Sequence, residues 1–480
     1  MSQYAEPVSM IAMSRLAVLL FAAFALACTP SYKPGLPPGS PFADQSTLAF
    51  PQSAATGDVS DHDAWLWFRT NAEEDVRVSW NPDGRIDAAS TTVHTSRAQD
   101  FTATVHLDGL SPATRYRYRV EVVRGAPTGV DGQFTTAPAP NASTNEVFLW
   151  SADIGGQQRC RRDQAGYPIF DVMLKSEPAF VLLLGDLIYS DDRCPSPPNA
   201  PGADFVATRL DEYRAKHRYQ HEDAALQRLL SAVPVSVMWD DHEVRNNFAG
   251  PVEPLMPAGR QALFEFWPIA RTGEPTRLYR TIRRGANLQV FILDTRQYRH
   301  PNSEKDGPQK SMLGPAQRAW LLEELRRSTA TWKIVASSVP LANPKGGTLQ
   351  LPGNDSWAMG NDGTGFHHEL RSIIDALQEH RIQNVVWLAG DVHYAQVATF
   401  DPDGDGEIDF YEAVAGPLSA APAKPLPQQP ALHPSTLYAE GGFLNFGRAT
   451  VTPESLRLEI VDEQGVVRFT HTIQPRVGKP

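Results

Sequence analysis

Phe180-Val181-Leu182-Leu183-Leu184-Gly185-Asp186-Leu187-Ile188-Tyr189-Ser190-Asp191-Asp192 sets the frame for the rest of the chain. An apolar run of this length, closed by Gly-Asp, predicts a strand buried on both faces of a sheet. In open α/β architectures ligands sit just past the carboxyl ends of such strands, so Asp186 leaves the sheet where chemistry is expected. Tyr189, three residues on, can turn back beside it. Carboxylate plus phenolate is an anionic, all-oxygen pair suited to a hard, highly charged cation. A lone Gly-Asp is more often a plain turn; the other strand ends decide against that here.

Working outward, the same ending recurs. Val147 to Trp150 runs into Ser151-Ala152-Asp153, and Val233 to Trp239 into Asp240-Asp241-His242-Glu243. Leu288 to Leu293 runs into Asp294-Thr295-Arg296, Ile334 to Ala336 into Ser337-Ser338, and Val385 to Ala389 into Gly390-Asp391-Val392-His393. Helical spacing over Pro315 to Ser328 and His368 to His380 fills the intervals, the mark of an α/β domain. Asp153, Asp186, Tyr189, Asp240, Asp241, His242, Asp391 and His393 therefore converge. Carboxylates crowded without a cation raise one another's pKa and pay desolvation as well. With one or two imidazoles they form instead a site for hard or borderline metals. Two such metals sharing a carboxylate activate water and neutralise a phosphoryl transition state.

The amino-terminal part reads differently. Leu16 to Ala27 is an apolar run too short to span a bilayer, with Arg15 before it, so residues 1–28 read as a signal peptide. Ala25-Leu26-Ala27-Cys28 resembles a bacterial lipobox, with lipidation expected at Cys28, export to a periplasm or cell envelope, and a Pro/Gly-rich tether over 29–45. From 46 to 138 β-rich stretches such as Ala64 to Thr70, Val76 to Trp80 and Phe101 to Leu107 alternate with turns. Leu107 to Tyr118 resembles the corner of a fibronectin type III sandwich, where a Tyr hydroxyl ties back to the chain. The catalytic part is expected over 145–475. A formal charge of -11 and a pI near 5.6 speak against a nucleic-acid surface. In an exported protein Cys160 and Cys194, both following ligand-bearing strand ends, are expected to pair.

Gly185-Asp186-Leu187-Ile188-Tyr189, Trp239 to Asn247, Asp294 to Arg299 and Gly390-Asp391-Val392-His393 together resemble the alkaline phosphatase D (PhoD) type of the metallophosphoesterase superfamily. The resemblance implies a four-layer αββα fold with an amino-terminal β-sandwich. It implies a small phosphoester substrate, monoester or diester, and a tyrosinate-bound Fe³⁺ with a second divalent ion, Ca²⁺ foremost. Carried over, Asp186 bridges, Asp153, Tyr189 and His393 complete the iron site, and Asp241 and Asp391 hold the second ion. His242 takes the place of the His that protonates the leaving oxygen or stabilises the developing charge, with Asp240 either supporting it or binding metal. Asn246 and Asn247 are substrate or metal contacts, and Arg296 and Arg299 are expected in structural ion pairs. Two departures stand out: Ser151-Ala152-Asp153 stands where some members of the family carry a Ser-Cys motif, so an aspartate replaces the thiolate, and Ser337-Ser338 stands where related enzymes of the purple type place a metal-binding His. The competing readings are a phosphodiesterase of the phospholipase D class and a non-catalytic, metal-stabilised surface binding module.

Asp401-Pro402-Asp403-Gly404-Asp405-Gly406-Glu407-Ile408-Asp409-Phe410-Tyr411-Glu412 matches the EF-hand loop template without flanking helices. It predicts a separate structural Ca²⁺ in a hairpin, held by Asp401, Asp403, Asp405, Glu407, Asp409 and Glu412.

Overall fold

Strands dominate the first hundred described residues. In the computed structural model they are β1 (Ala54–Gly57), β2 (Ala64–Arg69), β3 (Asp75–Pro82), β4 (Ala89–His94), β5 (Thr102–Leu107), β6 (Arg115–Val122) and β7 (Gly129–Thr135). The structure describes residues 46–85, 87–124, 128–271, 273–347, 349 and 352–476. The expected signal peptide, Cys28 and tether lie outside the described residues. Strands β4-β3-β6-β7 form one sheet, packed against β1, β2 and β5 through Leu66, Phe68, Val76, Val78, Tyr118 and Phe134. The corner is tied as in fibronectin folds: Ser111 N–H donates to Tyr116 Oη at 2.9 Å.

The chain then runs β8 (Glu146–Ser151), α1 (Ile169–Leu174), β9 (Phe180–Leu184), α2 (Leu210–His221), α3 (Ala224–Ala232), β10 (Val235–Met238) and α4 (Met256–Phe266). Next come β11 (Arg280–Arg284), β12 (Leu288–Ile292), α5 (Gly314–Arg327), β13 (Trp332–Ala336), α6 (His367–Glu379) and β14 (Val385–Ala389). The last strands are β15 (Ala395–Phe400), β16 (Phe410–Val414), β17 (Pro434–Glu440), β18 (Asn445–Val451), β19 (Leu456–Asp462) and β20 (Val467–Ile473). β10 is shorter than its apolar run because Val233 still caps α3.

Two sheets face each other: β20-β19-β18-β8-β9-β10-β1-β2-β5 and β11-β12-β13-β14-β16-β15-β17. Alternation along the strands explains the layers. Phe148, Trp150, Leu182, Leu184 and Met238 pack towards Val290, Ile334 and Trp387 of the second sheet, in one cluster with Leu321, Leu325, Ile373 and Ile374 of α5 and α6. Leu149, Val181, Leu183 and Val237 pack on the other side, against Phe170, Met173, Leu226, Leu229 and Leu263 of α1, α3 and α4. The order is helices, sheet, sheet, helices, and the parallel strands β8, β9 and β10 end at one edge of it. The sandwich is not a detached module: β1 pairs with β10 in parallel, at Gly57 opposite Val235.

Candidate metal centre

The turns that end β8, β9 and β14 are tight. Asp153, Asp186, Asp391 and His393 sit there at φ 67°, 53°, 70° and 59°. Such left-handed positions are uncommon for side-chain-bearing residues and persist where the surroundings hold them. One carboxylate does much of the holding. Glu243 accepts from Leu187 N at 2.6 Å, Asp240 N at 2.8 Å and Asp186 N at 3.3 Å, tying the β9 turn to the β10 turn. Gly156 is required by close approach, since a Cβ there would lie 2.1 Å from the Tyr189 ring.

Three groups of ligand atoms result, each drawn within 4.8 Å: Asp153, Asp186 and His393; Asp186, Asp241 and His242; Asp240, Asp241 and Asp391. Asp186 and Asp241 belong to two groups each. Tyr189 Oη lies 2.9 Å from His393 Nε2, while His393 Nδ1 meets the Ala421 carbonyl at 2.8 Å. That contact places the proton on Nδ1 and turns the Nε2 lone pair inward. Burial, then Asp241, Asp240, Glu243 and Asp153, push the Asp186 carboxyl well above the usual carboxylate range. Burial pushes Asp391 up to about 8, against the pull of Lys345. Asp153 Oδ2, Asp240 Oδ2, Asp241 Oδ1 and Asp391 Oδ2 are buried with no hydrogen-bond partner among the described residues, as is Asn247 Oδ1. Unpaired, buried oxygens in this number are costly, and a multivalent cation is the partner that fits them.

His242 departs from expectation in its support. Its Nδ1 meets Asp191 Oδ1 at 2.6 Å, and Asp191 Oδ2 accepts from Asn246 N at 2.7 Å. The ring stacks on Tyr189 with centroids 4.2 Å apart. Burial disfavours its charge, yet Asp191 and Asp241 raise its pKa to about 10. Asp240 therefore does not orient His242. It accepts from Arg296 Nε at 2.7 Å and from the Ser338 hydroxyl, keeping Oδ2 free beside Asp241 and Asp391. Ser338, in the position after β13, thus contacts a carboxylate of the candidate site. Arg296 and Arg299 are fully buried on Asp355, at 2.8 Å and 2.7 Å, and so are structural. Asn247 N–H donates to Asp241 Oδ2 at 2.7 Å. Asp191, Glu243, Asp355 and Lys345 contact residues of the candidate site and were passed over in the sequence reading. Asp191 stood two residues beyond Tyr189, and Lys345 in Pro-Lys-Gly-Gly after β13. Both stand further past their strand ends than the residues that the strand-end signal singled out.

Cys160 and Cys194 are joined, with Cα atoms 5.9 Å apart. In the acidic loop Asp401, Asp403 and Asp409 come together, while Asp405 and Glu407 are exposed and outside that group. Asp401 already accepts from the N–H groups of Gly404, Asp405 and Gly406. The expectation for Glu412 is wrong: it lies within β16, paired into the sheet, and its Oε1 accepts from Leu341 N at 2.6 Å. Among the described residues no helix is long and apolar enough to cross a membrane.

A family model described as PhoD-like phosphatase matches residues 150–459, and one for the PhoD-like phosphatase N-terminal domain matches residues 37–138. Alkaline phosphatase D of Bacillus subtilis (strain 168) is 30% identical over 332 residues, 62% of this chain. The match spans 54% of that protein, about half its length. A solved structure of PhoD superposes with a TM-score of 0.72 at 23% identity, covering 91% of this chain and 94% of that one. Purple acid phosphatase PPD1 from yellow lupin (Lupinus luteus) seeds gives 0.63 at 14% identity, over 88% and 73%. These two likenesses are of fold. With one family model matching residues 150–459, more than half of the chain, and a second matching residues 37–138, the chain belongs to the PhoD-like phosphatase family.

Proposed function

We propose that the chain is an exported, metal-dependent phosphoesterase that hydrolyses phosphate monoesters, diesters or both at a two-metal centre. The observation that carries this reading is the set of buried, unpartnered oxygens of Asp153, Asp240, Asp241 and Asp391 around Asp186 and His393. Asp153, Asp186, Tyr189 and His393 would hold Fe³⁺; Asp186, Asp241 and Asp391, with Asp240 and Asn247 beside them, would hold a divalent ion such as Ca²⁺. Oxygen-rich donors, with one imidazole on the iron side, suit such ions. When bound, the metals supply Lewis-acid charge and lower the pKa of water.

The protein's own groups do the rest. Glu243 keeps the two ligand turns in register. His242, charged through Asp191, points Nε2 into the site and can protonate a leaving oxygen. Arg296 neutralises Asp240 from behind and does not reach substrate.

Hydrolysis of a bis-aryl phosphodiester and of its monoester by purified, metal-replete protein separates the two ester classes. Turnover of neither ester rejects the reading. Asp186→Asn is expected to cost far more than the roughly 10- to 100-fold typical of outer positions. If Tyr189 binds Fe³⁺ as phenolate, the protein is coloured and Tyr189→Phe bleaches it. A colourless, iron-free, active enzyme removes iron from the assignment.

A further inference from the structure

Lys345 lies on the loop after β13, and its ammonium hydrogen-bonds Asp391 Oδ1 while standing 4.0 Å from Asp241 Oδ2. These are two of the carboxylates assigned above to the divalent ion. The loop is held upstream of the residue and at it: Leu341 N–H donates to Glu412 at 2.6 Å, and Asp355 N–H donates to the Lys345 carbonyl at 2.8 Å. The side chain itself is 28% exposed, against 0% for Asp391 and Asp241. A fixed backbone with a long, partly solvated side chain lets the ammonium leave without disturbing the ligand turns. Lysine suits this role because its charge is compact, well hydrated and carried on a flexible stem.

A divalent ion on the free Asp391 Oδ2 and Asp241 Oδ1 would stand close to an ammonium held on the other oxygens of the same two carboxylates, and their repulsion in a buried site is large. We propose that Lys345 is a built-in competitor for the second metal, holding Asp391 and Asp241 until a divalent ion displaces its ammonium. The inference rests on the two-metal reading. It makes the second ion weaker-binding and more exchangeable than its carboxylates alone would make it. It also gives the site a paired charge when that ion is away.

The test is a calorimetric titration of iron-containing protein, stripped of its second ion, with Ca²⁺ and separately with Mn²⁺. Wild type is compared with Lys345→Met, Lys345→Gln and Lys345→Arg, each also followed by thermal melting. Loss of the ammonium is expected to tighten the second ion at least about tenfold, or about 1.4 kcal/mol. Lys345→Arg, which keeps the charge, is expected to stay near wild type. The stripped Met and Gln variants are expected to melt below stripped wild type, and the added ion is expected to close that gap. Second-ion binding in wild type with no tightening in the neutral variants overturns the inference and leaves the two-metal reading standing. A second ion taken only by the neutral variants supports it. No second ion in any of the proteins overturns both.

Discussion

His242 meets Asp191 through Nδ1 at 2.6 Å, which leaves Nε2 towards Asp241 Oδ1 at 4.0 Å. Both side chains are largely buried, so the imidazolium depends on Asp191 for its charge and its aim. Asp191→Asn is expected to lower kcat about 10- to 100-fold, with KM, metal content and melting temperature near wild type. A change in KM alone, or loss of metal, would instead mean that Asp191 only shapes the turn. Residues whose place follows from their own strand were legible: Asp153, Asp186, Asp391 and His393 each close a buried apolar run. Asp191 and Lys345 were not, because their partners lie 51 and 46 residues away in other loops. Asp240 and Glu412 show the converse. Each sits inside a matching motif, yet the side chain turns to Arg296 or to Leu341, and spacing alone does not encode that direction.

Helix α2 is the element that sequence pattern describes least well. Leu210–His221 is mostly polar, yet all but one of its residues are buried. Its long polar side chains reach specific partners. Arg214 grips Glu265 at 2.6 Å, Arg218 pairs with Asp100, and Gln220 holds the Ile154 carbonyl beside Asp153. His217 and His221 differ, for none of their four ring nitrogens has a hydrogen-bond partner among the described residues. His217 stacks on Phe266 at 5.3 Å, and His221 lies against Trp267 at 4.6 Å and Trp67 at 4.8 Å. Burial pushes His221 down to about 3 and His217 well below its ordinary value. Both are therefore neutral in the fold and take up protons on unfolding below about pH 6.5. Their contribution is complete above that pH and is lost as pH falls towards 3, at about 1.4 kcal/mol per proton per pH unit. Urea unfolding at pH 7.5, 6 and 5 checks this. The double variant His217→Leu, His221→Leu is expected to lose less stability over that interval than wild type. Parallel curves for the two proteins would remove the histidines as the cause.

At the scale of the whole molecule the sandwich and the layers that follow it share one sheet, and Ala55 and Trp67 of the sandwich join the core of those layers. Composition marked two domains, because strands change to strand–helix alternation near Pro138. The hydrogen bonds run across that boundary, since β1, β2 and β5 extend the sheet beyond β10. Trp67 is buried in the catalytic core and donates to the Glu265 carbonyl at 2.7 Å. Arg280 closes on Asp58 at 2.6 Å, and Arg214 reaches the Ala98 carbonyl at 2.7 Å. Coupling of this kind, by sheet, core and ion pair at once, calls for a single cooperative unfolding step. Gly57 is the place to test it. It stands opposite Val235 where the two parts join, and a Cβ there would lie 2.5 Å from the carbonyl oxygens of Pro268 and Val235. Main-chain atoms cannot step aside as side chains do, so Gly57→Ala is expected to cost about 1–3 kcal/mol and lower the melting temperature by a few degrees. Ester hydrolysis, tryptophan fluorescence and far-ultraviolet circular dichroism are expected to fall together in both proteins, only earlier in the variant. Were the variant to lose the sandwich in a separate early transition and keep its activity, the shared sheet would be a contact between independent domains rather than a joint.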